Sequence, residues 1–279
     1  MRSIAQATWS FLDKRNGIQK CSVKEIKENR GKLIPTFQEL VEHVATLSFR
    51  NPEFVFLFRG QQRDYVNRNG RTTLYPSIFR STSNYMSKAE SEKRFMKLRF
   101  AEDKLLEKYD LEGMKRIKTN RIIRWAILQH YEVCATPLLD VTHSLRVACS
   151  FAQYECDKNE TYLYVLGLPQ ISGSVTSSSE CGIQIIRLIS ICPPSALRPH
   201  YQEGYLIGEY PTIEFRSKLE YQRNELDFSN RLICKFRLGC KETFWDSDFS
   251  MISHEALFPD DRDRLKSKTS EIISLIQNE

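Results

Sequence analysis

The stretch Asn51-Pro52-Glu53-Phe54-Val55-Phe56-Leu57-Phe58-Arg59-Gly60-Gln61 decides the architecture. Phe54 to Phe58 form a continuous apolar run behind a turn signal, which predicts a short buried strand ending at Arg59 and Gly60. Upstream, residues 35–47 place Phe37, Leu40, Val41, Val44 and Leu47 at helical spacing. That predicts an amphipathic helix starting near Pro35, with Thr36 in its first turn. Downstream, residues 63–73 are polar and arginine-bearing and read as an exposed loop. Residues 87–109 predict a solvent-facing helix with an apolar stripe, and residues 119–132 a mostly buried one. Residues 137–154 begin extended and turn helical, with Thr142 or Ser144 placed to cap the helix. Strands are predicted within 161–168, 183–190, 204–215 and 231–238, with a Ser-rich loop at 172–182.

This order is not a regular βαβα alternation. It predicts an α+β fold: a single domain with a mixed, mostly antiparallel sheet and flanking helices. No Pro/Gly-rich linker divides the chain. Residues 1–34 are expected to form an N-terminal helical extension, 35–265 the main domain, and 266–279 the end of a charged C-terminal helix.

The chain has 279 residues, 41% of them hydrophobic, which excludes a disordered class. Lys and Arg number 41 against 35 Asp and Glu, so the net charge of +6 permits an anionic partner without demanding one. No stretch approaches the about 18 apolar residues of a membrane span, so no membrane partner is expected. The N-terminal stretch carries Asp13 and lacks an apolar core, so it is not expected to be a signal peptide. No pair of the eight cysteines has CxxC spacing. Cys134, Cys149 and Cys234 sit in apolar runs and are expected to pack as small hydrophobes, and the sparse cysteines fit a reducing, cytoplasmic setting. The five histidines show no close pairing, so no metal is expected. GxxxxGK[ST], GxGxxG, HExxH and GxSxG are all absent.

Three segments mix polar groups with apolar strand or helix ends. In residues 57–62, Arg59 offers a guanidinium fork for an anion and Gly60 lets a ligand approach the backbone. The alternative is that Arg59 fixes a turn through carbonyl hydrogen bonds. In residues 128–152, His130, Tyr131, Asp140 and Thr142 stand in an apolar context. Burying such groups unpaired costs several kcal/mol, so they should form a polar network. That network either binds a ligand or is structural, with Asp140 capping the next helix. In residues 198–208, Gln202 and Glu203 precede Gly204 and a strand.

These motifs, in this order, resemble the FRG domain family, named for Phe-Arg-Gly. The resemblance rests on Phe58-Arg59-Gly60-Gln61, Tyr75-Pro76-Ser77 with Arg80, Gln129-His130-Tyr131, Thr136-Pro137, Leu138 to Thr142, and Ala148 with Phe151-Ala152. Gln202 with Gly204, and Phe258-Pro259-Asp260, resemble its later elements. The chain departs from the family at residues 132–135, Glu-Val-Cys-Ala, where a small Gly-containing turn is usual. A looser resemblance is to the ADP-ribosyltransferase fold, through Arg59-Gly60, Thr142 with Ala148 and Phe151, and Gln202/Glu203. It implies an ADP-ribosyltransferase-like core with NAD as substrate and a protein or nucleic acid as acceptor. Arg59, Thr142, Gln202 and Glu203 would then be catalytic, with Glu214 as an alternative to Glu203. Gly60, Gln61, His130, Tyr131 and Asp140 would bind the substrate. The FRG-domain resemblance adds a bacterial, phage-linked setting, and with it implies an effector or toxin role in anti-phage defence with a neutralising or regulatory partner.

A competing reading is nucleic-acid binding or processing. Arg63, Arg68, Arg71 and Arg80, interleaved with Tyr65 and Tyr75, suit phosphate contact and base stacking. A third is a sensor or interaction module without catalysis.

Overall fold

A computed structural model of the chain describes residues 1–80, 86–156, 160–211 and 226–277. Strands β1 (Thr8–Phe11) and β2 (Ile18–Cys21) pair as an antiparallel hairpin. Helix α1 (Val23–Glu28) starts at a capping box between Ser22 and Glu25, and β3 (Lys32–Ile34) follows. The first 34 residues are therefore not the helical extension expected. Helix propensity wins only in the six residues behind that capping box, and the rest of the ordered structure is paired strand.

Helix α2 (Phe37–Arg50) is capped by the Thr36 side chain, which accepts from the Glu39 N–H. Strand β4 (Val55–Gln61) is the Phe-rich run. Helices α3 (Lys88–Lys108), α4 (Met114–Thr119) and α5 (Arg121–His130) follow. Next come β5 (Leu139–Thr142) and α6 (Leu145–Gln153). Ser144 caps α6 by accepting from the Val147 N–H, so Asp140 is not its cap. Strands β6 (Thr161–Leu168), β7 (Val175–Ser178) and β8 (Ile183–Arg187) precede the short helices α7 (Leu188–Ile191) and α8 (Leu197–Tyr201). Strand β9 (Gly204–Glu209) ends before residues 212–215, which lie outside the described residues. Strand β10 (Leu232–Leu238) and helices α9 (Lys241–Phe244), α10 (His254–Leu257) and α11 (Arg264–Gln277) complete the chain. The Ser-rich segment, expected as a loop, contains β7, whose Val-Thr-Ser-Ser residues suit a partly exposed edge strand.

Among the described residues the main sheet has eight strands, in the order β3-β10-β6-β4-β5-β9-β8-β7. Only the β3–β10 pair is parallel, so the sheet is mixed and mostly antiparallel. The apolar run of β4 is buried on both faces. Phe56 and Phe58 pack with Leu40 and Leu47 of α2 and with Ala148 and Ala152 of α6. Leu57 points to the other face, among Leu12, Ile26 and Leu166. A third cluster joins α3, α5 and α11 through Leu98, Trp125 and Ile272, reaching Ile186 on β8 and Leu206 on β9. No described helix is long and apolar enough to cross a membrane. All eight cysteines are free, and burial pushes the Cys234 thiol up to about 11.

One irregularity positions the site. Seven consecutive residues of β4 register with β6, from Val55↔Leu168 to Gln61↔Tyr162. On its other side β4 meets β5 at a single pair, Phe58↔Thr142. Beyond that pair the two strands splay, while β5 stays in register with β9 over four residues.

Candidate functional site

The gap between the splayed strands opens into a cavity of about 440 Å³. Strand β4 contributes Arg59, Gly60 and Gln61 to its wall, and β5 contributes Asp140, Val141 and Thr142. The end of α5 adds Gln129, His130 and Glu132, α6 adds Ala148 and Phe151, and the α8–β9 corner adds Arg198, Gln202 and Gly204. Tyr65, Arg80 and Phe258 close it.

Arg59 bridges the gap. Its Nη1 donates to the main-chain carbonyl of Asp140 at 2.6 Å, so it makes the carbonyl contact that the missing strand pairing leaves open. Its Nε has no protein partner. Burial, then the neighbouring charge of Arg80, pushes Arg59 down to about 10, which leaves it cationic at neutral pH. The Asp140 carboxylate accepts from Gln129 Nε2 at 2.7 Å and lies 3.6 Å from His130 Nδ1. Burial alone would raise this carboxyl. The neighbouring His130, then Arg59 and the Gln129 hydrogen bond, outweigh burial and hold it below the usual carboxylate range. Gln61 Oε1 and His130 Nε2 are likewise buried without a protein partner. One wall is therefore cationic, one carries a charged carboxylate, and Phe58, Phe151 and Phe258 supply an apolar end.

The match to a known family fits this geometry. The family model of the FRG domain matches residues 55–161, from the start of β4 to the start of β6. The chain carries an FRG domain. Neither the curated proteins nor the solved structures searched yield a match.

In this FRG domain the polar signature residues meet one another. Gln129 Oε1 accepts from the Ser77 hydroxyl at 3.0 Å and the Thr136 hydroxyl at 2.8 Å, while its Nε2 holds Asp140. The glycine of the Phe-Arg-Gly motif answers to packing. A Cβ at Gly60 would lie 1.8 Å from the Ala148 carbonyl oxygen, so only glycine lets α6 lie this close to β4. Two later elements lie outside the matched residues and complete the wall. Arg198, 2% exposed, donates to the His130 carbonyl and to Asp260, with its guanidinium 4.8 Å from the Phe258 ring centre.

Several expected roles change. The Thr142 hydroxyl is engaged by the backbone: it donates toward the carbonyls of Gln202 and Glu203 and accepts from the Ser144 N–H. Gln202 is buried, and its amide nitrogen donates to the Leu257 carbonyl, tying the α8 corner to α10. Glu203 is exposed and absent from the wall. Its backbone sits at φ 43°, so it acts as a turn residue ahead of β9. Tyr131 is fully buried in the helical core and donates its hydroxyl to Asp263, so it does not reach the cavity. Glu214 lies outside the described residues. Among the described residues, the carboxylates that line the cavity are Asp140 and Glu132.

The arginine group also divides. Arg80 lines the cavity, whereas Arg63, Arg68 and Arg71 do not. Arg71 pairs with Glu28 at 2.8 Å. Sequence reasoning gave Gln129, Phe151 and Phe258 only motif membership and gave Arg198 and Glu132 no role. Arg198 had a readable signal, an arginine amid apolar residues with Phe258-Pro259-Asp260 downstream.

Proposed function

We propose that the FRG-domain cavity binds NAD and cleaves its nicotinamide–ribose bond, an ADP-ribosyltransferase-like activity. The observation that carries this reading is the convergence of Arg59 and Asp140 on one cavity where β4 and β5 splay. Its volume lies in the usual range of small-ligand sites, roughly 300–1,000 Å³. Arg80, with Arg59 behind it, would take the pyrophosphate, and Tyr65 or Phe258 would lie against a base ring. When the C–N bond breaks, nicotinamide leaves with the electron pair and the ribose becomes cationic. The Asp140 carboxylate is the group suited to stabilise that charge, with Glu132 as the second acid on the wall. The acceptor's nucleophilic atom then bonds to the ribose carbon and gives up its proton.

Incubation of the purified protein with NAD should release nicotinamide, and Asp140→Asn should lower the rate by about 100-fold or more. Binding without release would leave a sensor role, and neither binding nor release would end the NAD reading. The effector or toxin reading adds that expression slows host growth and that Asp140→Asn relieves it; equal growth with both proteins would refute this. Arg80 and Tyr65 sharing the wall also suit a nucleic-acid end entering as acceptor. RNA binding that does not weaken as salt rises would sink that variant.

A further inference from the structure

Gln129 touches three other signature side chains. The Ser77 hydroxyl, which donates to its Oε1, itself accepts the Thr136 N–H at 3.1 Å. The Thr136 hydroxyl, which also donates to Oε1, accepts the Leu138 N–H at 3.2 Å. Each hydroxyl has one proton to give; the Gln129 amide oxygen takes that of Thr136 and is the nearer acceptor for Ser77, whose other acceptor, the Thr136 carbonyl, lies at 3.4 Å. On the other side, an ionised Asp140 can only accept, so the amide atom 2.7 Å from it must be the NH₂ group. Both ends demand the same orientation of the amide.

We infer that Gln129 is a positioning residue: the Ser77 and Thr136 hydroxyls lock its amide so that the N–H holds the Asp140 carboxylate in place on the cavity wall. The inference rests on Asp140 as the ligand-facing carboxylate, and not on NAD as the ligand. The other groups facing Asp140 are Arg59 from β4, Arg80 beyond the 3₁₀ turn at Ser77–Phe79, and His130 from α5. On β9 its register partner is Leu206, which carries no charge. Gln129 is neutral, so replacing it removes a hydrogen bond without changing the charge around Asp140. Burial then has less opposing it and the neutral acid is favoured.

The test is an NMR titration of carboxyl-¹³C aspartate in the full chain, with Asp140→Asn assigning the resonance. In Gln129→Met the Asp140 midpoint should move upward from its wild-type value. Ser77→Ala combined with Thr136→Val should also move it upward, although Gln129 and Asp140 are both intact, because the freed amide can rotate its oxygen toward the carboxylate. A folded variant of either kind with an unmoved midpoint, even one that melts lower, overturns the inference. If Gln129→Met does not fold, the hydroxyl variants, singly or together, carry the test. A shifted midpoint with no NAD binding by the wild type would refute the proposed function and leave this inference standing.

Discussion

At Asp140 burial and pairing pull in opposite directions, and pairing wins. A carboxyl held below its unfolded value contributes stability that is present above that value and lost as pH falls through the folded one. The melting-temperature gap between wild type and Asp140→Asn should therefore be widest near neutral pH and narrow below about pH 4. Thermal melts from pH 7 to pH 3 check this, and a gap that widens in acid would contradict it. The sequence made Asp140 visible because an acid between Leu139 and Val141 needs partners. It could not assign direction. Thr142, two residues on, looks equally reactive in a string of letters, yet its hydroxyl is taken up by the α8–β9 corner. Arg59 was legible as a strand-end cation; its guanidinium bonds the Asp140 carbonyl across the strands and lines the cavity.

Among the elements, the legible ones have long or uniform patterns. The Phe-rich β4 and the amphipathic α2 fall where the apolar spacing puts them. The four-residue β1 and β2, the three-residue β3 and the Ser-rich β7 carry too little pattern, and long-range pairing decides them. The end of α5 shows a subtler point. Val133 N–H donates to the Leu128 carbonyl and Glu132 N–H to the Gln129 carbonyl, a Schellman ending with Glu132 at φ 57°. Glycine is the residue that adopts this conformation without strain, and the departure from the family pattern begins at this position. Glu132→Gly should stabilise the fold by about 1 kcal/mol, read as a higher urea midpoint with an unchanged slope. A lower midpoint would show that the Glu132 side chain contributes more than its backbone costs.

Across the whole molecule, the loop carrying Tyr65 is anchored by β6 and β10, the next two strands beyond β4 in the sheet. Lys235 on β10, almost fully buried, donates to Asp64 at 2.6 Å and to the Thr72 hydroxyl, and Tyr164 on β6 donates to the other Asp64 oxygen. Nothing in the arginine-bearing stretch around Asp64 hints that its lysine lies 171 residues away. Lys235→Met should cost about 3–5 kcal/mol, because it strands a partly buried carboxylate, and Lys235→Met with Asp64→Leu should cost less. Denaturant melts of both variants decide this, and a double variant as weak as the single would refute the pairing argument. The single pair that joins β4 to β5 has a further consequence. It divides the sheet into two four-stranded blocks, β3-β10-β6-β4 and β5-β9-β8-β7. The blocks are bridged across that seam by Arg59, by α6, by the shared packing of Leu57 and Leu166 with Leu139 and Ile207, and by whatever fills the gap. Amide exchange should accordingly report two opening units in the empty protein and one when the cavity is occupied.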